Sequence, residues 1–114
     1  MVVVDLALAV ICFMNQCHPV LVGPHTPQGT FLLDHQATPE PGYGGDLLVF
    51  KDGPSQLWAI HRVITAPASE RRLERLQSPH AGARRRVTRG CVNVMPQVFD
   101  SLVRCCSRDL LVIR

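Results

Sequence analysis

Lysine is almost absent from this 114-residue chain: Lys51 is the only one, and the other basic residues are arginines. Aromatic residues are scarce, at 5%, so Val, Leu and Ile must fill most of the interior. No C-x-x-C pair occurs, and Cys17-His18 lacks a matching second pair, so no metal site is expected. No apolar run is long enough to cross a bilayer as a helix. There is no internal repeat and no low-complexity tract. The arginines come without helix-turn-helix or zinc-finger spacing and without interleaved aromatics, which argues against a nucleic-acid binder. A steep salt dependence of DNA binding would be needed to revive that reading.

What is present fits one domain spanning residues 1–114. Proline and glycine are plentiful and dispersed, which suggests an irregular, mainly β (α+β) architecture rather than a bundle. The net charge is +3, but Arg62, Arg71, Arg72, Arg75, Arg84, Arg85, Arg86 and Arg89 crowd one segment. Such a patch is either a solvated face or an attractor for an anionic partner. The five cysteines, Cys12, Cys17, Cys91, Cys105 and Cys106, are odd in number, so at least one thiol stays outside any set of internal disulfides. The apolar stretches Val2–Val4 and Leu6–Met14 are short, interrupted by Asp5 and not preceded by a basic residue. They read as two buried strands rather than an export signal.

In chain order, strands are expected at Met1–Leu6, Ala9–Met14, Pro19–Val22 and Thr30–Leu33, with a Thr26–Gly29 turn before the last. Asp34–Asp46, with Pro39, Pro41, Gly42, Gly44 and Gly45, reads as a loop. Leu47–Phe50 and Leu57–Ile60 read as strands joined around Lys51–Pro54, the second ending at His61. Two short helices follow. One is Ala68–Gln77, with Ser69 as N-cap; the other starts at Pro96 and turns Phe99, Leu102, Val103 and Cys106 inward. Arg84–Arg89 leads into a turn, and Asp109–Ile113 closes the domain as a strand.

The octet Val87–Val94 carries the chemistry. Gly90 lets the backbone aim two N–H groups beside Cys91, Thr88 is placed to hydrogen-bond across the turn, and Arg89 with the preceding arginines would favour thiolate over thiol. These are the needs of an acyl-transfer cysteine. All five histidines precede Cys91, and His61, at the end of an apolar strand, is the best-placed base.

Four pieces, in order, resemble the L,D-transpeptidase (YkuD-like) family: the strand pair Val2–Met14, the turn Thr26-Pro27-Gln28-Gly29-Thr30-Phe31, Ile60-His61, and Thr88-Arg89-Gly90-Cys91-Val92-Asn93. The chain departs from that family in having Arg62 where glycine is common after the histidine, and in the long histidine–cysteine separation, 91 − 61 = 30. That length holds the arginine-rich helix.

The resemblance implies a β-sandwich with two short helices and a peptidoglycan enzyme of the cell envelope or periplasm. Cys91 and His61 would be catalytic, Gly90, Thr88 and Arg89 would shape the oxyanion loop, and Asn93 and Arg62 would orient the loop or contact substrate. No cofactor is implied. Peptidoglycan stem peptides would be the substrate, and carbapenems would be expected to acylate Cys91. A wall-binding module of the same fold, without chemistry, is the alternative.

Overall fold

A computed structural model describes residues 1–114. The valine-rich N-terminus forms strand β1 (Val2–Asp5), with Val2 and Val4 fully buried. β2 (Val10–Phe13) returns antiparallel to it. The turn between them lacks turn-forming residues; the Asp5 carboxylate closes it by accepting from the Leu8 amide at 2.9 Å. Met14 and Asn15, both at positive φ, make the hairpin into β3 (Gln16–Pro19). The third strand therefore ends at Pro19 instead of starting there. Val20, Leu21 and Val22 are buried as the chain crosses to the other layer, where Leu21 bridges Asn93.

β4 (Gly29–Leu32) is followed by β5 (Asp34–Ala37), inside the stretch expected to be loop. All four residues of β5 are exposed, so no alternation of apolar residues marks it; its pairing with β6 (Asp46–Asp52) makes it a strand. β7 (Leu57–Arg62) pairs antiparallel with β6.

The expected helix over Ala68–Gln77 is broken. A 3-10 turn at Ala68–Glu70 meets Arg71 in the left-handed region (φ 53°), and α1 (Arg72–Leu76) starts afresh beyond it. Ser69 caps nothing, because Pro67 occupies the position before the turn. A further helix, α2 (Ala81–Arg84), lies just ahead of the expected lead-in and takes in its first residue, Arg84. Its Arg84 is buried, and its guanidinium donates to the carbonyls of Ala9 (3.1 Å), Leu8 (2.9 Å) and Ser78 (2.7 Å). That arginine belongs to the packing and not to a solvated face.

After β8 (Val92–Val94) comes α3 (Pro96–Cys106), with Pro96 in its first turn. Val98, Phe99, Leu102 and Cys106 are buried, and Val103 is half-buried. β9 (Leu110–Ile113) ends the domain.

The strands form two sheets, ordered β3-β2-β1-β9-β4 and β5-β6-β7-β8. One core joins them. Val2, Val4 and Ile11 from the first sheet pack with Leu48, Ile60, Val92 and Val94 from the second and with Phe99 and Leu102 of α3. Cys12 and Cys17 face each other across the β2–β3 hairpin and are bonded, as are the adjacent Cys105 and Cys106; Cys91 is the free thiol. No helix is long and apolar enough to cross a membrane.

Candidate active site

The site follows from strand parity. β7 and β8 run parallel, with Ile60 beside Val92, His61 beside Asn93 and Arg62 beside Val94. Residues paired in this way send their side chains to the same face, and neighbours along a strand alternate. Ile60, Val92 and Val94 belong to the core, so His61 and Asn93 face outward. Cys91, two residues before Asn93, shares their side.

This outer face is covered instead of wet: His61 is 2% exposed and Asn93 0%. Tyr43, from the Pro-Gly loop before β6, lies edge-on to the imidazole with ring centroids 4.6 Å apart. It also packs on a small cluster of Leu47, Val49 and Ala59. Arg72 of α1 closes another side, its Nη1 donating to Asn93 Oδ1 at 3.1 Å. Among these groups a cleft of about 310 Å³ remains; Tyr43, Gln56, His61, Arg72, Arg89 and Cys91 are among the residues lining it.

The cysteine loop is stapled from two directions. Thr88 Oγ1 donates to the Cys91 carbonyl at 2.6 Å. Thr26 Oγ1 donates to the Gly90 carbonyl at 3.0 Å, and the His25 amide donates to the Arg89 carbonyl at 3.1 Å. Trp58 Nε1 then holds the His25 carbonyl at 3.1 Å. A Cβ at Gly90 would lie 2.6 Å from Trp58 Nε1 and 3.0 Å from the His25 carbonyl oxygen, so the loop approaches too closely for any side chain there. The three carbonyls are thus engaged, whereas the N–H groups of Arg89, Gly90 and Cys91 donate to no acceptor within the chain.

The imidazole is held at both nitrogens. Nδ1 donates to the Arg62 carbonyl at 2.8 Å, and Nε2 accepts from Asn93 Nδ2 at 3.2 Å. The Cys91 thiol points to the Leu57 carbonyl, 3.6 Å away, at the open end of the β7–β8 ladder. Sulfur and imidazole open on one cleft, and no hydrogen bond joins them.

No protein-family model and no curated protein matches the sequence. Solved structures do match. An L,D-transpeptidase from Mycobacterium smegmatis aligns with a TM-score of 0.59 at 14% identity, over 99% of this chain and 57% of that one. LdtMt1, an LD transpeptidase in complex with imipenem, aligns at 0.60 and 12% identity over the same shares. The chain has the L,D-transpeptidase fold. It spans 57% of the length of each of these two structures.

On this L,D-transpeptidase fold the site is electrically quiet. Burial, assisted by the nearby Arg72 cation and opposed by the bond to the Arg62 carbonyl, lowers the His61 pKa from 6.5 to about 4. Burial pushes the Cys91 thiol up, against the pull of the Ala59 amide and Arg72. The expectation that Arg89 and its preceding arginines would draw out a thiolate is therefore overturned. Desolvation outweighs them, and the cation that acts on the sulfur is Arg72.

Two further expectations change. Arg62 does not face the cleft, because alternation along β7 turns it to the side opposite His61. There its guanidinium lies over the Phe99 ring, 4.3 Å from the centroid, and pairs with Asp46 (2.6 Å) and Asp100 (3.1 Å). Asn93 has no surface for substrate to touch; its amide bonds the imidazole instead. Sequence reasoning passed over Tyr43, Trp58 and Arg72. The first two are the single tyrosine and the single tryptophan, a weak signal; nothing in the periodicity of Arg71–Gln77 singles out Arg72.

Proposed function

We propose that the chain is a cysteine acyltransferase acting on peptidoglycan stem peptides, an L,D-transpeptidase with Cys91 as nucleophile and His61 as base. The observation carrying this reading is the juxtaposition at one 310 Å³ cleft of the free thiol, a neutral imidazole and a run of unengaged main-chain N–H groups. With the thiol pKa raised and the imidazole pKa lowered, the resting pair is thiol and neutral base, so proton transfer accompanies attack.

Cys91 Sγ adds to the carbonyl of the third, diamino-acid residue of a tetrapeptide stem. Its proton passes to His61 Nε2, whose lone pair is released when Asn93 Nδ2 withdraws. The N–H groups of Arg89, Gly90 and Cys91 receive the oxyanion. The C–N bond to D-alanine breaks, the proton on His61 goes to the departing amine, and a thioester remains. An amine acceptor then yields a cross-link, and water yields a carboxypeptidase product. Either gives a proton to His61, which returns it to sulfur.

The exposed Arg89, with no ion pair of its own, stands at the rim to meet stem carboxylates. The Cys12–Cys17 disulfide suits the cell envelope, an oxidising compartment. No cofactor enters these steps.

The test is intact mass after incubation with imipenem. The wild-type chain should gain one acyl adduct and release D-alanine from tetrapeptide stems, and Cys91→Ala should do neither. A wild-type chain that takes no adduct and releases no D-alanine would leave the second reading, a wall-binding module. The turn of Sγ toward the Leu57 carbonyl favours that reading, and retention on isolated wall without acylation would identify it.

A further inference from the structure

Glu70, Arg72, Asn93 and His61 form one chain of hydrogen bonds whose polarity runs in a single direction. Arg72 Nε and Nη2 donate to Glu70 Oε2 at 3.2 and 3.1 Å, and its Nη1 donates to Asn93 Oδ1 at 3.1 Å. Asn93 Nδ2 donates to His61 Nε2, and His61 Nδ1 donates to the Arg62 carbonyl. A guanidinium is donor-only, so the amide of Asn93 must turn its oxygen to Arg72 and its NH2 to the ring. The ring must then present a lone pair at Nε2 and carry its proton at Nδ1. The Arg62 carbonyl, an acceptor only, asks for the same proton at Nδ1, and Arg72 is what turns the Asn93 NH2 toward Nε2. Tyr43 meets the ring edge-on, and Cys91 makes no bond to it.

We propose that Arg72 is a positioning residue. It fixes the direction of the Asn93 amide and thereby keeps Nε2 of His61 unprotonated while the Arg62 carbonyl holds the proton at Nδ1, which leaves the ring neutral and able to take a proton at Nε2. Each of its three nitrogens is already donating, so this orienting task fits it better than capture of a substrate carboxylate. The inference rests on His61 being the base, and it gives the segment between β7 and β8 a task at the site. Without Arg72 the amide is free to reverse, Oδ1 then accepts from an Nε2–H, and with Nδ1–H still on the Arg62 carbonyl the ring is protonated and lost as a base.

The test reads the ring directly. Long-range 1H–15N spectra of the 15N-labelled full chain, recorded across a pH titration, report the tautomer and protonation of His61. The wild type should show the Nδ1–H form at neutral pH. Arg72→Met should shift the ring toward the doubly protonated form and raise its titration midpoint. Arg72→Lys, also donor-only, should keep the wild-type signature. Glu70→Gln, a half-exposed change that spares the packing, should move the signals the same way by less, which keeps the test valid if Arg72→Met fails to fold. Wild-type spectra in both Arg72→Met and Glu70→Gln, or in Glu70→Gln alone should Arg72→Met not fold, would overturn the proposal.

Acylation by imipenem is followed in parallel. Arg72→Met should be acylated about 10–100-fold more slowly, a part of the ~10²–10⁴-fold that a positioned base supplies. If the wild type is never acylated while the spectra move as expected, the catalytic reading falls and the orienting network stands. If the wild type is acylated and the variants' spectra do not move, the reverse holds.

Discussion

Each sheet of the molecule contains one parallel strand pair, β1–β9 and β7–β8, and the two are used in opposite ways. In both, one face packs into the shared core: Val2, Val4, Leu111 and Ile113 in the first, Ile60, Val92 and Val94 in the second. The outer faces diverge. In β1–β9 the paired Val3 and Val112 lie half-buried with nothing to satisfy. In β7–β8 the equivalent pair is His61 and Asn93, and both are closed off from water. Polar groups hidden in this way must find partners, and here every buried side-chain nitrogen and oxygen does. Within the ladder the two bond each other and the Arg62 carbonyl; from outside it Arg72 of α1 supplies the remaining partner, and Tyr43 and the stapled cysteine loop complete the cover. A covered polar face can shift a histidine's pKa and hold a thiol still; an open apolar one can do neither.

Substitutions should separate the two pairs, and the largest effect belongs to the loop that serves β8. A Cβ at Gly23 would lie 1.7 Å from the Thr88 carbonyl oxygen, backbone against backbone. Gly23→Ala should therefore cost about 3 kcal/mol or more in urea denaturation and spoil acylation with it.

Next comes pH. His61 has a folded pKa of about 4 against 6.5 when unfolded, so the unfolded chain binds more protons between those values and stability rises with pH there. The stabilisation should be complete above 6.5 and lost as pH falls toward 4, a difference of about 3 kcal/mol. Thermal or urea unfolding at stepped pH should show this slope, and His61→Gln should remove that share of it.

Thr88→Val keeps the shape but leaves the Cys91 carbonyl without its 2.6 Å donor. A loss of about 1–3 kcal/mol with slower acylation is expected. At the bottom of the scale, Val112→Thr on the outer face of β1–β9 should stay within about 0.5 kcal/mol and leave acylation unchanged. A large effect there would break the contrast between the pairs.

Much of the frame was legible in the sequence. Val2–Val4, Leu47–Phe50, Leu57–Ile60 and Leu110–Ile113 are apolar and β-branched enough to announce strands, and Pro96 with its spaced Phe99, Leu102 and Cys106 announces α3. The site was partly legible. Thr88, Gly90, Cys91 and His61 stand out by residue type and order, and they come together at one cleft. Legibility failed where local pattern carries no information. β5 is wholly exposed and is a strand only because β6 is beside it. The helix after Pro67 breaks at Arg71, a residue with no intrinsic reason to adopt positive φ. Arg62, Arg72, Arg84 and Arg89 look alike in a string of arginines. Folded, one stacks on Phe99, one holds Asn93, one is buried under three carbonyls and one faces the cleft.

The sequence by itself determined the apolar strands, the closing helix, and the identity of the thiol, the imidazole and the glycine between them, because these follow from side-chain period and from backbone freedom at single positions. Tertiary structure alone decided that the thiol and the imidazole rest uncharged, and which arginine reaches them. Burial and hydrogen-bond direction depend on which distant segments lie over the β7–β8 ladder, and no local run of residues encodes that.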